Sequence, residues 1–135
     1  MNGAGFVIFK ESSMNTTPLM LALVRPDGLY DFPKGHADPN ETPLQTAKRE
    51  CFEECSIMID DNEIVNSVFY SDNRLALFCA ISNKAPIVTK NPVTGILEHV
   101  GFKWVDAVEF CSNCLPYLSK PAKSFYSSVL ATYNP

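Results

Sequence analysis

The sequence predicts an α/β domain in which a mixed β-sheet lies between helices. Apolar segments of strand length come in groups of three, two and one, a capped amphipathic helix separates the first group from the second, and two helical segments close the chain. At 135 residues and 46% hydrophobic content, the chain is expected to form one domain, residues 1–135, with a substantial core.

The first strand is expected at 3–9 (GAGFVIF), the second at 18–24 (PLMLALV) and a short third at 30–33. Thr42 then suits a helix N-cap, Pro43 the first helical position, and Gln45 completes a Thr-x-x-Gln capping box. A helix from Pro43 to Cys55 follows, with Leu44, Ala47, Cys51 and Cys55 as its buried stripe. Strands come next near 64–70 and 74–81, where RLALFCAI is apolar enough to be buried. The segment 83–95 (NKAPIVTKNPVTG) carries Pro86, Pro92 and Gly95 and reads as a loop. A strand from Phe102 to Val105, a short helix from Asp106, and a helix from Pro121 to Tyr133 with Phe125, Val129 and Leu130 inward complete the order β-β-β-α-β-β-loop-β-α-α.

Composition excludes several classes of protein. There is no apolar run of about 18 residues and no basic-apolar-small leader, so neither a membrane span nor a secretory signal is expected. Five cysteines, an odd number scattered along the chain, read as reduced thiols and point to the cytoplasm. Cys111 and Cys114 form a C-x-x-C, but His36 and His99 are the only histidines and no second matching pair exists. Packing is therefore expected of these thiols ahead of zinc or redox chemistry.

The chemistry concentrates in residues 33–57, PKGHADPNETPLQTAKRECFEECSI. Glu50 and Glu54 are four apart and Glu53 is three from Glu50, so the predicted helix gathers all three carboxylates on one flank. Like charges at this spacing repel by roughly 0.2–0.5 kcal/mol per pair, and they lie toward the helix C-terminus, where the macrodipole also disfavours them. A solvated face would mix signs. A hard divalent cation such as Mg²⁺ takes oxygen ligands and removes the repulsion, which gives the cluster a purpose.

The pattern extends beyond the cluster. Gly35 is followed by five residues, Glu41, seven residues, and then Arg49-Glu50-Cys51-Phe52-Glu53-Glu54-Cys55-Ser56-Ile57. This closely resembles the box of the Nudix hydrolases: Gly, five, Glu, seven, Arg-Glu, an aliphatic residue, any, Glu-Glu, any, Gly, aliphatic. Two positions depart. Cys51 replaces an aliphatic residue and stays small and apolar, and Ser56 replaces a helix-ending glycine that needs a left-handed conformation, at a cost of about 1 kcal/mol.

The resemblance implies an α/β/α sandwich with a mixed sheet and Mg²⁺-dependent hydrolysis of a diphosphate linkage, with Mn²⁺ as a possible substitute. By matching positions, Glu50, Glu53 and Glu54 hold the metal, Arg49 orients the glutamates, and Glu41 supports the turn into the helix. Gly35 allows a tight turn and offers its carbonyl as a further ligand. Lys34 is placed to touch a phosphate, and His36 is either a second phosphate contact or a plain loop residue. In ILEHVGFKW (96–104), Glu98 corresponds to the loop glutamate that serves many relatives as metal ligand or general base, and His99 is a phosphate contact, an acid or a structural residue.

YDFPKGHADPNE and EHVGFKW together are most similar to the asymmetrical dinucleoside tetraphosphate hydrolases, and in part to diphosphoinositol polyphosphate and RNA-end pyrophosphohydrolases. Eleven Lys and Arg against fifteen Asp and Glu give a net charge of −4 with no basic cluster. That charge pattern favours a small nucleotide over an inositol pyrophosphate, and leaves nucleic acid only as an RNA 5′ end. Tyr70 or Phe69 is the candidate aromatic face for a base. A Nudix fold that senses a nucleotide without cutting it is the non-enzyme alternative, although such modules usually lose box glutamates that are retained here. The oligomeric state is left open.

Overall fold

The computed structural model describes residues 2–10, 17–70, 74–91 and 94–133, without the side chains of 66–70 and 133. Seven strands and three α-helices are found among them: β1 (Gly3–Lys10), β2 (Leu19–Val24), β3 (Tyr30–Asp31), β4 (Lys34–His36), α1 (Pro43–Cys55), β5 (Ile64–Tyr70), β6 (Leu75–Ile81), β7 (Gly101–Val105), α2 (Ala107–Asn113) and α3 (Ser119–Tyr133). The order matches the expected one with a single addition, the strand β4, which has no apolar alternation to announce it. The last helix begins at Ser119, two residues before Pro121, on the end of a 3₁₀ turn over Pro116–Leu118. Pro121 still falls in the first turn, where its missing N–H has no partner to lose. No described helix is long and apolar enough to cross a membrane.

The strand order is β3-β2-β1-β6-β5, with β4 paired to β1 and β7 to β2. β6 runs parallel to β1 from Gly3 to Phe9 and so occupies one whole edge of it. On the other edge, β2 reaches only Phe9 and Lys10, while Gly3–Gly5 pair with His36–Lys34. β2 repeats the arrangement: β7 lines one edge from Met20 to Val24, and the other is shared between β1 and β3. The two central strands therefore part, and the segment 30–36 fills the gap between them.

Alternation along β1 sorts side chains to two faces. Val7 and Phe9 join Met20, Leu77, Phe110, Phe125 and Val129 under α2 and α3, and Phe32 stacks on Phe110 with ring centroids 4.4 Å apart. Ala4, Phe6 and Ile8 join Leu21, Leu23, Ala47, Cys51 and Cys55 under α1, with Leu44 packed at the margin. This is the α/β/α sandwich the sequence predicts. Phe125 and Val129 are fully inward and Leu130 only partly so. Cys114 packs into the core beneath α2 with Cys111 against it, as expected of that pair.

The box helix is capped as predicted: Thr42 Oγ1 accepts from Gln45 N–H at 3.2 Å and Gln45 Oε1 accepts from Thr42 N–H at 2.9 Å. Its C-cap, Ser56, is left-handed at φ 59° and ψ 18°, with its N–H bonded to Phe52 O. Only a residue without a Cβ adopts this conformation freely. Ser56→Gly is expected to raise stability by up to about 1 kcal/mol, roughly 4 °C in Tm for a chain of this size. A thermal melt showing clear destabilisation would mean that the serine hydroxyl makes a contact worth more than the strain.

Candidate active site

The wedge 30–36 lies against the carboxylate flank of α1, and this juxtaposition builds the site. Gly35 is where the two touch. A Cβ added to Gly35 would overlap the Glu50 carboxylate, so only glycine lets the strand run beneath the helix. Its carbonyl oxygen lies against Gly3 of β1, 2.8 Å from where a Cβ there would stand.

Arg49 is the hub of the exposed half. Its Nε and Nη2 donate to the two oxygens of Glu41 at 2.8 and 3.0 Å, and Nη1 donates to Glu50 Oε1 at 2.9 Å and to Glu53 Oε2 at 3.2 Å. Nη2 also donates to the His36 carbonyl at 2.9 Å, and Asp38 lies 3.3 Å from Nε. Such a fork suits a planar guanidinium with five donors and would fail with lysine. Arg49, with the Asp38 N–H and the Thr46 hydroxyl, holds the Glu41 carboxyl down at about 2, so Glu41 remains an anion that ties the loop to the helix.

The buried half is organised differently. Glu54 is 7% exposed; its Oε2 accepts from Lys34 N–H at 3.1 Å and its Oε1 stands 3.6 Å from His99 Nδ1. Burial, then a hydrogen bond with Glu50 and the charges of Glu50, Asp31 and Glu98, pushes the Glu54 carboxyl up to about 10.

Asp31, which the sequence reading did not single out, anchors the rest. Its Oδ1 accepts from Phe32 N–H at 2.8 Å and meets Lys34 Nζ at 3.1 Å, and its Oδ2 lies 3.1 Å from His99 Nε2. Burial alone would raise this carboxyl; His99 and Lys34 outweigh it and hold it below the ordinary carboxylate range. For Lys34 likewise, burial would lower the ammonium, but Asp31 and Tyr117 keep it raised. The signal for Asp31 was available: it is a charged residue between two aromatics, Tyr30 and Phe32, in a predicted strand. Tyr117 had no such signal; its ring, 41% exposed, lies 5.8 Å from Lys34 Nζ.

The remaining candidates distribute as follows. His99 is buried at 4% exposure, whereas the neighbouring Glu98 is exposed. His36 is exposed, and its carbonyl is the atom engaged by Arg49. Tyr70 and Phe69 lie on β5, paired with Ala76 and Leu77 of β6, and their side chains fall outside the described residues.

Glu54, Glu98 and His99 each bring one ligand atom to within 4.8 Å of the others. The donor set fits a divalent cation. A cation placed there would offset the burial and the neighbouring charges that raise the Glu54 carboxyl.

Fold and site together define a member of the Nudix family: residues 2–128 match the NUDIX domain, and the chain belongs to that family. It is 40% identical to the rat bis(5'-nucleosyl)-tetraphosphatase [asymmetrical] over 63 residues, a match that spans 42% of this chain and 43% of that protein. Its fold is similar to that of a C. elegans Ap4A hydrolase in a binary complex, with a TM-score of 0.72, 21% identity and coverage of 97% and 99% of the two chains. It is also similar to that of the E. coli dihydroneopterin triphosphate pyrophosphohydrolase, with a TM-score of 0.64, 21% identity and coverage of 93% and 94%.

The raised Glu54 carboxyl makes the metal-free protein pH-sensitive in a stated direction. An acid that titrates near 10 when folded and near about 4 when unfolded binds more protons in the fold. Its stabilising contribution is complete below the unfolded value and is lost as pH rises toward the folded one. Relative to Glu54→Gln, the metal-free wild type should lose at least about 1 kcal/mol between about pH 5 and about pH 9. Urea melts of both proteins in chelator measure this, and parallel pH curves would show that Glu54 ionises without penalty.

Proposed function

We propose that the chain is a Mg²⁺-dependent pyrophosphohydrolase, with Mn²⁺ as a working substitute, that cuts a dinucleoside polyphosphate such as diadenosine tetraphosphate. The observation that supports this best is the buried Glu54 carboxyl with a ligand atom of Glu98 and one of His99 within 4.8 Å, an arrangement that answers to a cation. The names of the rat and C. elegans relatives support the substrate class.

On this reading Glu50, Glu53, Glu54 and Glu98 are the residues that hold the cation, which when bound screens the phosphate charge and lowers the pKa of an attacking water. Arg49 fixes Glu50 and Glu53 in one geometry, so they enter the reaction already oriented. Glu98, exposed beside the buried Glu54 and His99, takes a proton from the attacking water. Lys34 faces the polyphosphate from the other side, its ammonium held by Asp31. The exposed face of Tyr117, next to Lys34, offers a base a surface to stack on.

Two measurements test the reading. Glu54→Gln keeps the shape but removes a charged oxygen, and turnover should fall by roughly 10²–10⁴. Wild-type rates in this variant at saturating Mg²⁺ would remove Glu54 from the metal site. Diadenosine tetraphosphate should be split asymmetrically to ATP and AMP, with a higher kcat/KM than 5′-triphosphorylated RNA or an inositol pyrophosphate at physiological salt, because a chain of net charge −4 without a basic cluster offers those polyanions few cations. A tenfold advantage for either competitor, about 1.4 kcal/mol in the transition state, would overturn the substrate choice. Tight binding without turnover of any of the three would point to a sensor.

A further inference from the structure

Asp31 lies outside the carboxylate cluster of α1, yet it is almost fully buried and grips two other groups of the site. One of its oxygens receives Lys34 Nζ at 3.1 Å and Phe32 N–H at 2.8 Å, and the other stands 3.1 Å from His99 Nε2. A carboxylate so engaged accepts and does not donate, so the ring hydrogen of His99 facing it sits on Nε2. A ring with its hydrogen there presents a lone pair on Nδ1, on its opposite side.

Nδ1 faces Glu54 Oε1 at 3.6 Å, a separation too long for a hydrogen bond. It is the right separation for a different relation. Two ligands bound at about 2.0–2.2 Å to one ion stand roughly 3–4 Å apart. Glu98 completes a group in which Glu54, Glu98 and His99 each offer one ligand atom within 4.8 Å of the others, and it is exposed, so the position opens to solvent while its other two members are walled in. A buried imidazole, gripped by a carboxylate at one nitrogen and aimed by the other at a second carboxylate, is how proteins orient a metal-bound histidine.

We propose that His99 Nδ1 is a direct ligand of the cation, beside Glu54 and Glu98, and that Asp31 is the positioning residue that aims it. This rests on the metal-site reading above and deepens it. An imidazole among carboxylates is a softer donor than a site of oxygens alone, so the chain should favour Mn²⁺ over Mg²⁺ by more than its glutamates would give.

Electron paramagnetic resonance of the full chain loaded with Mn²⁺ tests the assignment without reference to activity. The wild type should show a ¹⁴N coupling to bound Mn²⁺, and the coupling should change to that of ¹⁵N when the histidines alone are ¹⁵N-labelled. His36→Gln should retain it. His99→Gln should lose it and bind Mn²⁺ about tenfold more weakly, and Asp31→Ala should lower Mn²⁺ affinity by at least about tenfold through the freed ring. Bound Mn²⁺ without nitrogen coupling in the wild type, or a coupling that survives His99→Gln, overturns the proposal. If the protein still cuts diadenosine tetraphosphate in that case, the pyrophosphohydrolase reading stands and only the histidine ligand falls. Failure of the wild type to bind Mn²⁺ at all would remove both. The labelled wild type carries no substitution, so the outcome does not depend on any variant folding.

Discussion

The parting of β1 from β2 is the constraint on which the rest of the site depends. A central strand normally gives each edge to one neighbour, but β1 divides one edge between β2 at Phe9–Lys10 and β4 at Gly3–Gly5. The division works because the residues at the divided end are small. A Cβ on Gly5 would overlap the Pro33 carbonyl and sit 2.5 Å from the Lys34 side chain, so the incoming segment can lie this close only against glycine. The backbone groups of the wedge are satisfied there, with Phe6 N–H donating to Pro33 O at 3.0 Å and Ala37 N–H to Asn2 O at 2.9 Å. Had β1 and β2 stayed paired along their length, Asp31, Lys34 and Gly35 would have no place beneath the helix.

The helix above this wedge carries carboxylates that cannot all be solvated, and the structure handles them in two ways. At the outer end, one guanidinium receives Glu41, Glu50 and Glu53 together, and Glu41 is held at about 2 by that partnership. At the inner end, Glu54 is buried with no lysine or arginine paired to it among the described residues and is driven up to about 10. Neighbouring carboxyls driven to opposite protonation by their surroundings are a common arrangement where acid–base or metal chemistry occurs. The outer half gives rigidity, and the inner half retains an electrostatic debt that a proton or a metal ion can settle.

The outer half was legible in the sequence because helical periodicity alone encodes it. Thr42 with Gln45, Arg49 with Glu53, and Ser56 with Phe52 act over three or four residues, and Glu41 lies only eight from Arg49, so each pair falls within the box and its helix. The inner half was not, because it joins distant parts of the chain: Asp31 meets His99 across 68 residues of sequence. His99 could be noticed beside Glu98, but its burial and its carboxylate partner arise only when the loop before β7 closes over the wedge. β4 was missed for a related reason. Its three residues, Lys34, Gly35 and His36, are a strand by virtue of the glycine-lined edge they meet and carry no strand pattern of their own.

The same division bears on where substrate choice is encoded. The box and its geometry belong to the family, and similar folds serve proteins named for Ap4A and for dihydroneopterin triphosphate. Fold and box therefore cannot decide the substrate. What differs must lie among residues that face the phosphate and the base from outside the box. Next to the box, the wedge holds Lys34, fixed by Asp31 and neighboured by Tyr117, and Lys103 stands 5.9 Å from the ring of Tyr30, the residue before Asp31. A lysine held in a buried ion pair has already lost the rotamer freedom that a solvent-facing lysine would give up on binding, so an anionic ligand there would meet it at a lower entropic cost. Asp31 sits at the junction of these effects, holding Lys34 with one oxygen and His99 with the other. A change at that single position would reach both sides of the site at once.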